Sequence, residues 1–280
     1  MRDKPLVVRR MSEADLTLAL EWAAAEGWNP GLSDARSFFA ADPDGFLLGE
    51  LDGRPVGSVS AVRYGPGFGF LGLYIVRAEF RGRGFGLELW QAALEHLGDR
   101  VVGLDGVVAQ QENYRKSGFK LAFRNIRQRA AGGGAAPGGL TDLAAVPFDE
   151  VARFDRTAFP APRADFLKAW IGQSRGAALG VMEGRSLKGY GVLRACREGF
   201  KIGPLFADDG EIAERLFQGL LARAHGAPVF LDTPEANPAA LALAERFRMT
   251  RVFETARMYR NGSPEMRLDR CFGVTSFELG

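Results

Sequence analysis

Gly72 to Gly86 reads GLYIVRAEFRGRGFG. An apolar strand, Leu73–Val76, enters a turn holding Gly82, Gly84 and Gly86, and an amphipathic helix begins directly after it. Glycines let backbone N–H groups converge, and a helix start adds unpaired N–H groups and a positive dipole end. Such a turn suits a phosphate or pyrophosphate. Arg81 and Arg83 add two positive charges at its mouth. The order Gly-x-Gly-x-Gly is not the dinucleotide order Gly-x-Gly-x-x-Gly, no ribose-binding acid follows at the expected distance, and the Lys-Ser/Thr of a P-loop is missing. The segment is therefore read as the site of a different diphosphate-bearing ligand.

Around it the periodicities predict a strand near residues 6–9, a helix capped by Ser12 with Asp15 three residues on, and a second helix over Asp34–Ala41. Strands follow at 46–51, 55–64 and 70–77, then a helix at 87–97, a strand at 101–104, a short helix at 111–117 and a strand at 120–129. Residues Ala130 to Gly139, AAGGGAAPGG, cannot pack a core and read as a flexible linker. The same order recurs beyond it, ending with strands at 251–259 and 270–278. Leu89, Gln91, Leu94, Val102, Leu104 and Asp105 find Leu216, Gln218, Leu221, Val229, Leu231 and Asp232 at one common offset, with Trp90 facing Phe217. This is a duplicated domain rather than a solenoid repeat. The reading is an α/β (α+β) mixed sheet in two copies: residues 1–131, a linker at 132–140, and residues 141–280.

A chain of 280 residues with 46% hydrophobic and 25% charged residues has room for two cores of ordinary globular texture. Its 36 basic against 34 acidic residues leave a net charge of +2, and no dense basic tract supports nucleic-acid binding. The two cysteines, Cys196 and Cys271, form no CxxC pair, so neither a zinc site nor a disulfide framework is expected. The N-terminal MRDKPLVVRRMSEADL lacks the apolar core of a secretory signal, and no apolar run is long enough for a membrane span. A cytoplasmic protein, monomeric or homodimeric, is the expectation.

Arg81-Gly82-Arg83-Gly84-Phe85-Gly86 after the strand YIV resembles the cofactor motif of the GNAT N-acetyltransferase superfamily, Arg/Gln-x-x-Gly-x-Gly/Ala. The resemblance implies acetyl-CoA as co-substrate. Its pyrophosphate would lie on residues Arg81, Gly82, Arg83, Gly84, Phe85 and Gly86, and its pantetheine arm along the backbone of Ile75 and Val76. A second segment, QQENYRKSGF at Gln110–Phe119, resembles the family's distal motif, with Tyr114 four residues before Gly118-Phe119. The resemblance makes Tyr114 the general acid that protonates the leaving thiolate; the other reading has it packing over the cofactor. Where the family usually has an asparagine, this chain has Val107 and Val108, and Asn113 sits beside the tyrosine. The strand before the loop also lacks the family's frequent glutamate, leaving Glu112, Glu50 and the terminal carboxylate as candidate bases. For the acceptor, the stiff loop Gly27-Trp28-Asn29-Pro30-Gly31 points to Trp28 and Asn29, with Trp28 either a lid over an amine or a seal on the core.

In the second half the loop's counterpart, KIGPLFADDGE at 201–211, lacks the motif, and Asp208 and Asp209 would repel phosphate. The counterpart of Tyr114 falls near Ala244. This half, with its closing run FGVTSFELG, resembles the degenerate C-terminal domain of certain bacterial two-domain GNAT proteins. The whole implies transfer of an acetyl group to a primary amine of a small-molecule acceptor by direct attack. The rivals are a CoA-binding module without catalysis, acting as a sensor or partner-binding protein, and an acyltransferase for a longer acyl-CoA.

Overall fold

The computed structural model describes residues 5–280; residues 1–4, the start of the N-terminal stretch read above, lie outside the described residues. The first half runs β1 (Val7–Arg10), α1 (Glu13–Ala25), α2 (Asp34–Ala41), β2 (Phe46–Leu51), β3 (Arg54–Tyr64), β4 (Phe68–Val76), α3 (Phe85–Leu97), β5 (Val101–Val107), α4 (Gln111–Lys116) and β6 (Lys120–Ala131). The second runs β7 (Thr141–Asp142), α5 (Phe148–Ala158), α6 (Ala164–Ile171), β8 (Gly176–Glu183), β9 (Ser186–Ala195), β10 (Phe200–Ala207), α7 (Gly210–Ala222), β11 (Pro228–Pro234), α8 (Pro238–Arg246), β12 (Thr250–Arg260) and β13 (Cys271–Gly273). Local signals account for three helix starts. Ser12 and Asp15 form a reciprocal capping box, Asp209 caps α7, and Asn237 with Pro238 at the first turn starts α8.

All the strands share one mixed sheet, in the order β1-β2-β3-β4-β5-β12-β6-β11-β10-β9-β8-β7, with β13 pairing β10. The halves therefore exchange strands. β12 of the second half lies between β5 and β6, with Asp105 opposite Arg257, and β6 of the first half lies between β12 and β11, with Arg127 opposite Asp232. Each exchange carries a buried two-pronged ion pair: Arg257 donates to Asp105 at 2.9 and 2.6 Å, and Arg127 donates to Asp232 at 2.7 and 2.8 Å. Burial works against the Arg257 charge, but Asp105 beside it outweighs that and raises its pKa above the ordinary value. The two aspartates are the paired Leu-Asp strand ends of the sequence repeat, each spent on an arginine of an exchanged strand.

Helices α3 and α4 cover one face of the first half, burying Leu89, Trp90, Val102 and Leu104 together with Ala256 and Met258 of the borrowed β12. On the opposite face a single core spans both halves, with Phe38 stacked on Trp170 at 6.0 Å and Tyr64 edge-on to Phe159 at 5.0 Å.

Two expectations change. The Gly/Ala-rich segment is laid against the second half: the Gly132 and Gly133 N–H groups donate to Ala227 and Leu221 carbonyls at 2.8 and 2.7 Å, and Arg215 donates to the Gly138 carbonyl at 3.1 Å. The closing strand expected over 270–278 is only Cys271–Gly273. Beyond it the chain leaves the sheet and stays buried to Gly280, because it threads between β10 and β11 and then runs beneath the first half.

Candidate functional site

β4 and β5 pair in parallel only from Phe68/Val101 to Leu71/Leu104, although β4 continues to Val76 and β5 to Val107. β5 pairs β12 along its other edge from Val102 to Val107, and beyond Leu71 the inner edge of Gly72–Val76 parts from β5. The departure begins at a bulge, where Leu73 takes φ +44°, a left-handed conformation costly for a branched side chain. Ser58 Oγ holds it there by donating to the Leu73 carbonyl at 2.8 Å.

A cavity of about 840 Å³ fills the fork. Its first-half walls are Leu71–Val76, Arg81, Leu104–Val107, Trp90, Gln110, Tyr114, Arg127 and the loop Glu26–Asn29. The second half supplies Glu198, Phe230, Val252, Phe253, Thr255, Phe277 and Glu278, so neither half encloses the site alone.

The glycine turn stands at the mouth. Gly82 and Gly84 have φ +75° and +87°, and Gly84 is the N-cap of α3. That conformation, cheap only for glycine, aims the first N–H groups of the helix outward. A Cβ at Gly86 would meet Tyr74 Oη at 2.6 Å, so the turn is seated directly on the splayed strand. Phe85 is buried, leaving its backbone N–H as the part available to a ligand. The guanidinium of Arg83 stacks on the Phe85 ring at 4.9 Å. Arg81 bends back, donating to the Val76 carbonyl at 2.7 Å and pairing with Glu26, so its charge is shared with a carboxylate on the cavity wall. Ile75 is buried and Val76 half-buried on the strand edge. Left-handed glycines, a helix start and a strand edge that β5 leaves unpaired, with only its Val76 carbonyl taken by Arg81, fit a pyrophosphate with an extended arm.

Tyr114 projects from α4 onto Gly106, where an added Cβ would lie 2.2 Å from its ring, and it packs on Trp90 at 5.6 Å. Burial, with Tyr74 nearby adding to it, pushes the Tyr114 phenol up to about 12, so it carries its proton throughout the neutral range. Trp28 lines the cavity and also packs against the shared core. Its carbonyl accepts from Lys201 Nζ at 3.0 Å. Asn29 lines the cavity too, with its amide bonded to the second half: Nδ2 donates to the Glu198 carbonyl at 3.0 Å and Oδ1 accepts from the Glu198 N–H at 2.8 Å. Asn29 thus clips the loop to the second half, and a buried Arg194–Asp34 pair at 3.0 Å secures the loop's far end.

The candidate bases lie elsewhere. Glu50 is engaged by Arg9 at 2.7 Å, Glu112 pairs with Arg115, and Gly280 packs on Phe70 and Phe159. Sequence reasoning missed Glu278 and Thr255; the one signal for Glu278 was an acid inside the otherwise apolar and hydroxylic closing run FGVTSFELG.

The second half has the same fork, since β10 and β11 pair only to Ile202/Leu231. There the gap is occupied by the chain itself. β13 pairs with β10, the Val274 N–H donates to the Asp232 carbonyl at 2.9 Å, and Phe272 is buried in the local core. Asp209 spends its carboxylate on the Ile212 N–H at 2.9 Å, where the first half has Gly84.

Both cysteines are free and buried. Among the described residues no helix is long and apolar enough to cross a membrane.

Two family models match the chain: the Acetyltransferase (GNAT) family over residues 14–119 and an Acetyltransferase (GNAT) domain over residues 151–273. A holothin acyltransferase from Pseudoalteromonas sp. (strain SANK 73390) is 34% identical over 263 residues, 93% of this chain and 90% of that protein. A Pyrococcus horikoshii structure described as a candidate acetyltransferase superposes with a TM-score of 0.86 at 24% identity, covering 100% of this chain and 98% of its own. A tandem GNAT protein from the clavulanic acid biosynthesis pathway gives 0.62 at 14% identity, covering 93% and 100%. With a matching model on each half and a relative aligned along nearly the whole length, the chain belongs to the GNAT acyltransferases, as a two-domain member of that family.

Proposed function

We propose that the chain moves the acetyl group of acetyl-CoA to a primary amine of a small-molecule acceptor, by direct attack, in the cavity at the β4–β5 fork. The observation that carries this reading is the open fork between β4 and β5, with the Gly82–Gly86 turn at its mouth and Tyr114 on its wall. Bound there, the co-substrate supplies a thioester carbonyl already activated toward an amine. Residues 82–86 hold the diphosphate through backbone N–H groups, and the free edge at Ile75 and Val76 aligns the arm. Tyr114 keeps a proton for the departing sulfur. The wall from both halves excludes water and holds the acceptor beside the thioester, and such positioning supplies much of the rate. The holothin acyltransferase, a relative that catalyses acyl transfer by its name, supports catalysis over a purely sensory role.

Tyr114→Phe tests the reading. Turnover with a good amine acceptor should fall by about 10²–10⁴-fold, the usual worth of positioned acid catalysis. Acetyl-CoA affinity, followed by calorimetric titration, should change little. Unchanged turnover would reduce Tyr114 to a packing residue, and binding without any turnover across an amine panel would favour the sensor.

Titration of the wild type should also give a stoichiometry near one. The second fork is filled by residues 271–274, and its turn carries an aspartate cap in place of a glycine. A value near two would mean that the C-terminal segment yields to the ligand.

A further inference from the structure

Glu278 is 4% exposed, lines the cavity, and its Oε2 has no hydrogen-bond partner. Thr255, 2% exposed on the borrowed β12, lines the same cavity, and its Oγ1 also lacks a partner. A buried carboxylate oxygen without a donor is costly, and natural structures keep few of them. Arg127, Arg194 and Lys201 all feel the Glu278 charge, yet their hydrogen bonds go elsewhere: Arg127 to Asp232, Arg194 to Asp34 and Lys201 to the Trp28 carbonyl. Burial, followed by repulsion from Arg127, brings the Lys201 ammonium down to about 8, while the Glu278 charge acts to raise it. The Glu278 backbone is fixed against β4, its carbonyl 2.1 Å from where a Cβ at Gly72 would stand, so that glycine is needed for the tail to reach the fork. The flanking Leu279 carbonyl is held by Tyr64 Oη at 3.1 Å.

We propose that Glu278 and Thr255 form the acceptor's ammonium site, and that the acceptor class is a primary amine on a small apolar or aromatic body. The body lies among Trp28, Phe230, Val252, Phe253 and Phe277, and the cationic nitrogen donates to Glu278 Oε2 and Thr255 Oγ1. The site rests on the acyl-transfer reading above and supplies its missing base. One ammonium proton passes to Glu278, and the freed nitrogen lone pair forms the C–N bond at the thioester carbon. The C–S bond then breaks, its electron pair leaving on sulfur, which takes the Tyr114 proton. The second nitrogen proton restores the phenol through solvent, and the Glu278 proton is released to solvent.

The test uses the full-length chain and two probes of one shape, 2-phenylethylamine and 2-phenylethanol, with binding read by calorimetry without any acyl-CoA. The wild type should bind the amine at least tenfold more tightly than the alcohol. Glu278→Gln should erase that preference, Glu278→Asp should retain part of it, and Thr255→Val should diminish it. With acetyl-CoA present, Glu278→Gln should lower kcat/KM for the amine about 10²-fold or more, leaving acetyl-CoA affinity within about twofold. Thermal melts establish that the variants are folded; should Glu278→Gln not fold, the Thr255→Val preference decides. A wild type that binds neither probe, or binds both equally, overturns the proposal, as does a folded Glu278→Gln with its preference intact. Because the binding arm needs no turnover, these failures are distinct from failure of the Tyr114→Phe test.

Discussion

Residues 1–131 expressed alone are expected to yield no folded, active protein. In the intact chain β6 has two neighbours, β11 and β12, and both lie beyond residue 131. Cutting there leaves β6 without a partner and opens the β5 edge that β12 covers, and exposed edges of this kind aggregate. The shared core is lost as well. Phe38, Tyr64, Phe68 and Phe70 are almost fully buried in a cluster that includes Phe159, Phe166 and Trp170. Uncovering four such side chains forfeits about 6–12 kcal/mol, at about 1.5–3 kcal/mol each. That is comparable to the whole stability of an ordinary domain, about 5–15 kcal/mol. Expression of Met1–Ala131, circular dichroism and turnover with acetyl-CoA check this. A soluble fragment with full turnover would show the second half to be dispensable. Co-expression with residues 132–280 should restore a folded complex.

Gly84→Glu is expected to remove acetyl-CoA binding while the chain stays folded. Gly84 sits at φ +87°, where an L-residue costs about 1–2 kcal/mol, which a protein of this size tolerates. The new carboxylate would stand where backbone N–H groups face the diphosphate. Loss of two charge-assisted hydrogen bonds, at about 1.5–3 kcal/mol each, lowers affinity on the order of 10²–10⁴-fold before repulsion is added. Calorimetric titration beside a thermal melt measures both effects. A folded variant with wild-type affinity would move the diphosphate site away from this turn.

What could be read along the chain was local. Strand, glycine turn and helix at 73–97 are contiguous, so their periodicity and turn chemistry announce themselves, and the duplicated Leu-Asp ends are plain at 104–105 and 231–232. One strand short of the resembled family fold, the first half implies an open edge or a borrowed strand, with the run at 270–278 as a candidate, and β12 is the strand that fills the gap. β12 looks like the last strand of its own half, because alternation says which residues are apolar and not whose edge they will cover. The closing run failed for another reason. Its apolar residues read as a sheet pattern, yet only Cys271–Gly273 pair, and the rest fill a fork and a cavity wall. Asn29 shows the same limit at the scale of one side chain: its loop was found, but the amide's partner lies in the backbone of Glu198, far along the chain.

The exchanged strands also set a schedule for synthesis. Asp105 meets its partner Arg257 only after a further 152 residues have been made. At roughly 5–20 residues per second, the β5 edge waits roughly 8–30 s on the ribosome before β12 exists to cover it. Domains usually fold one after another as they emerge, and this chain has no such order available to it. Through that interval the first half waits with its β5 edge open.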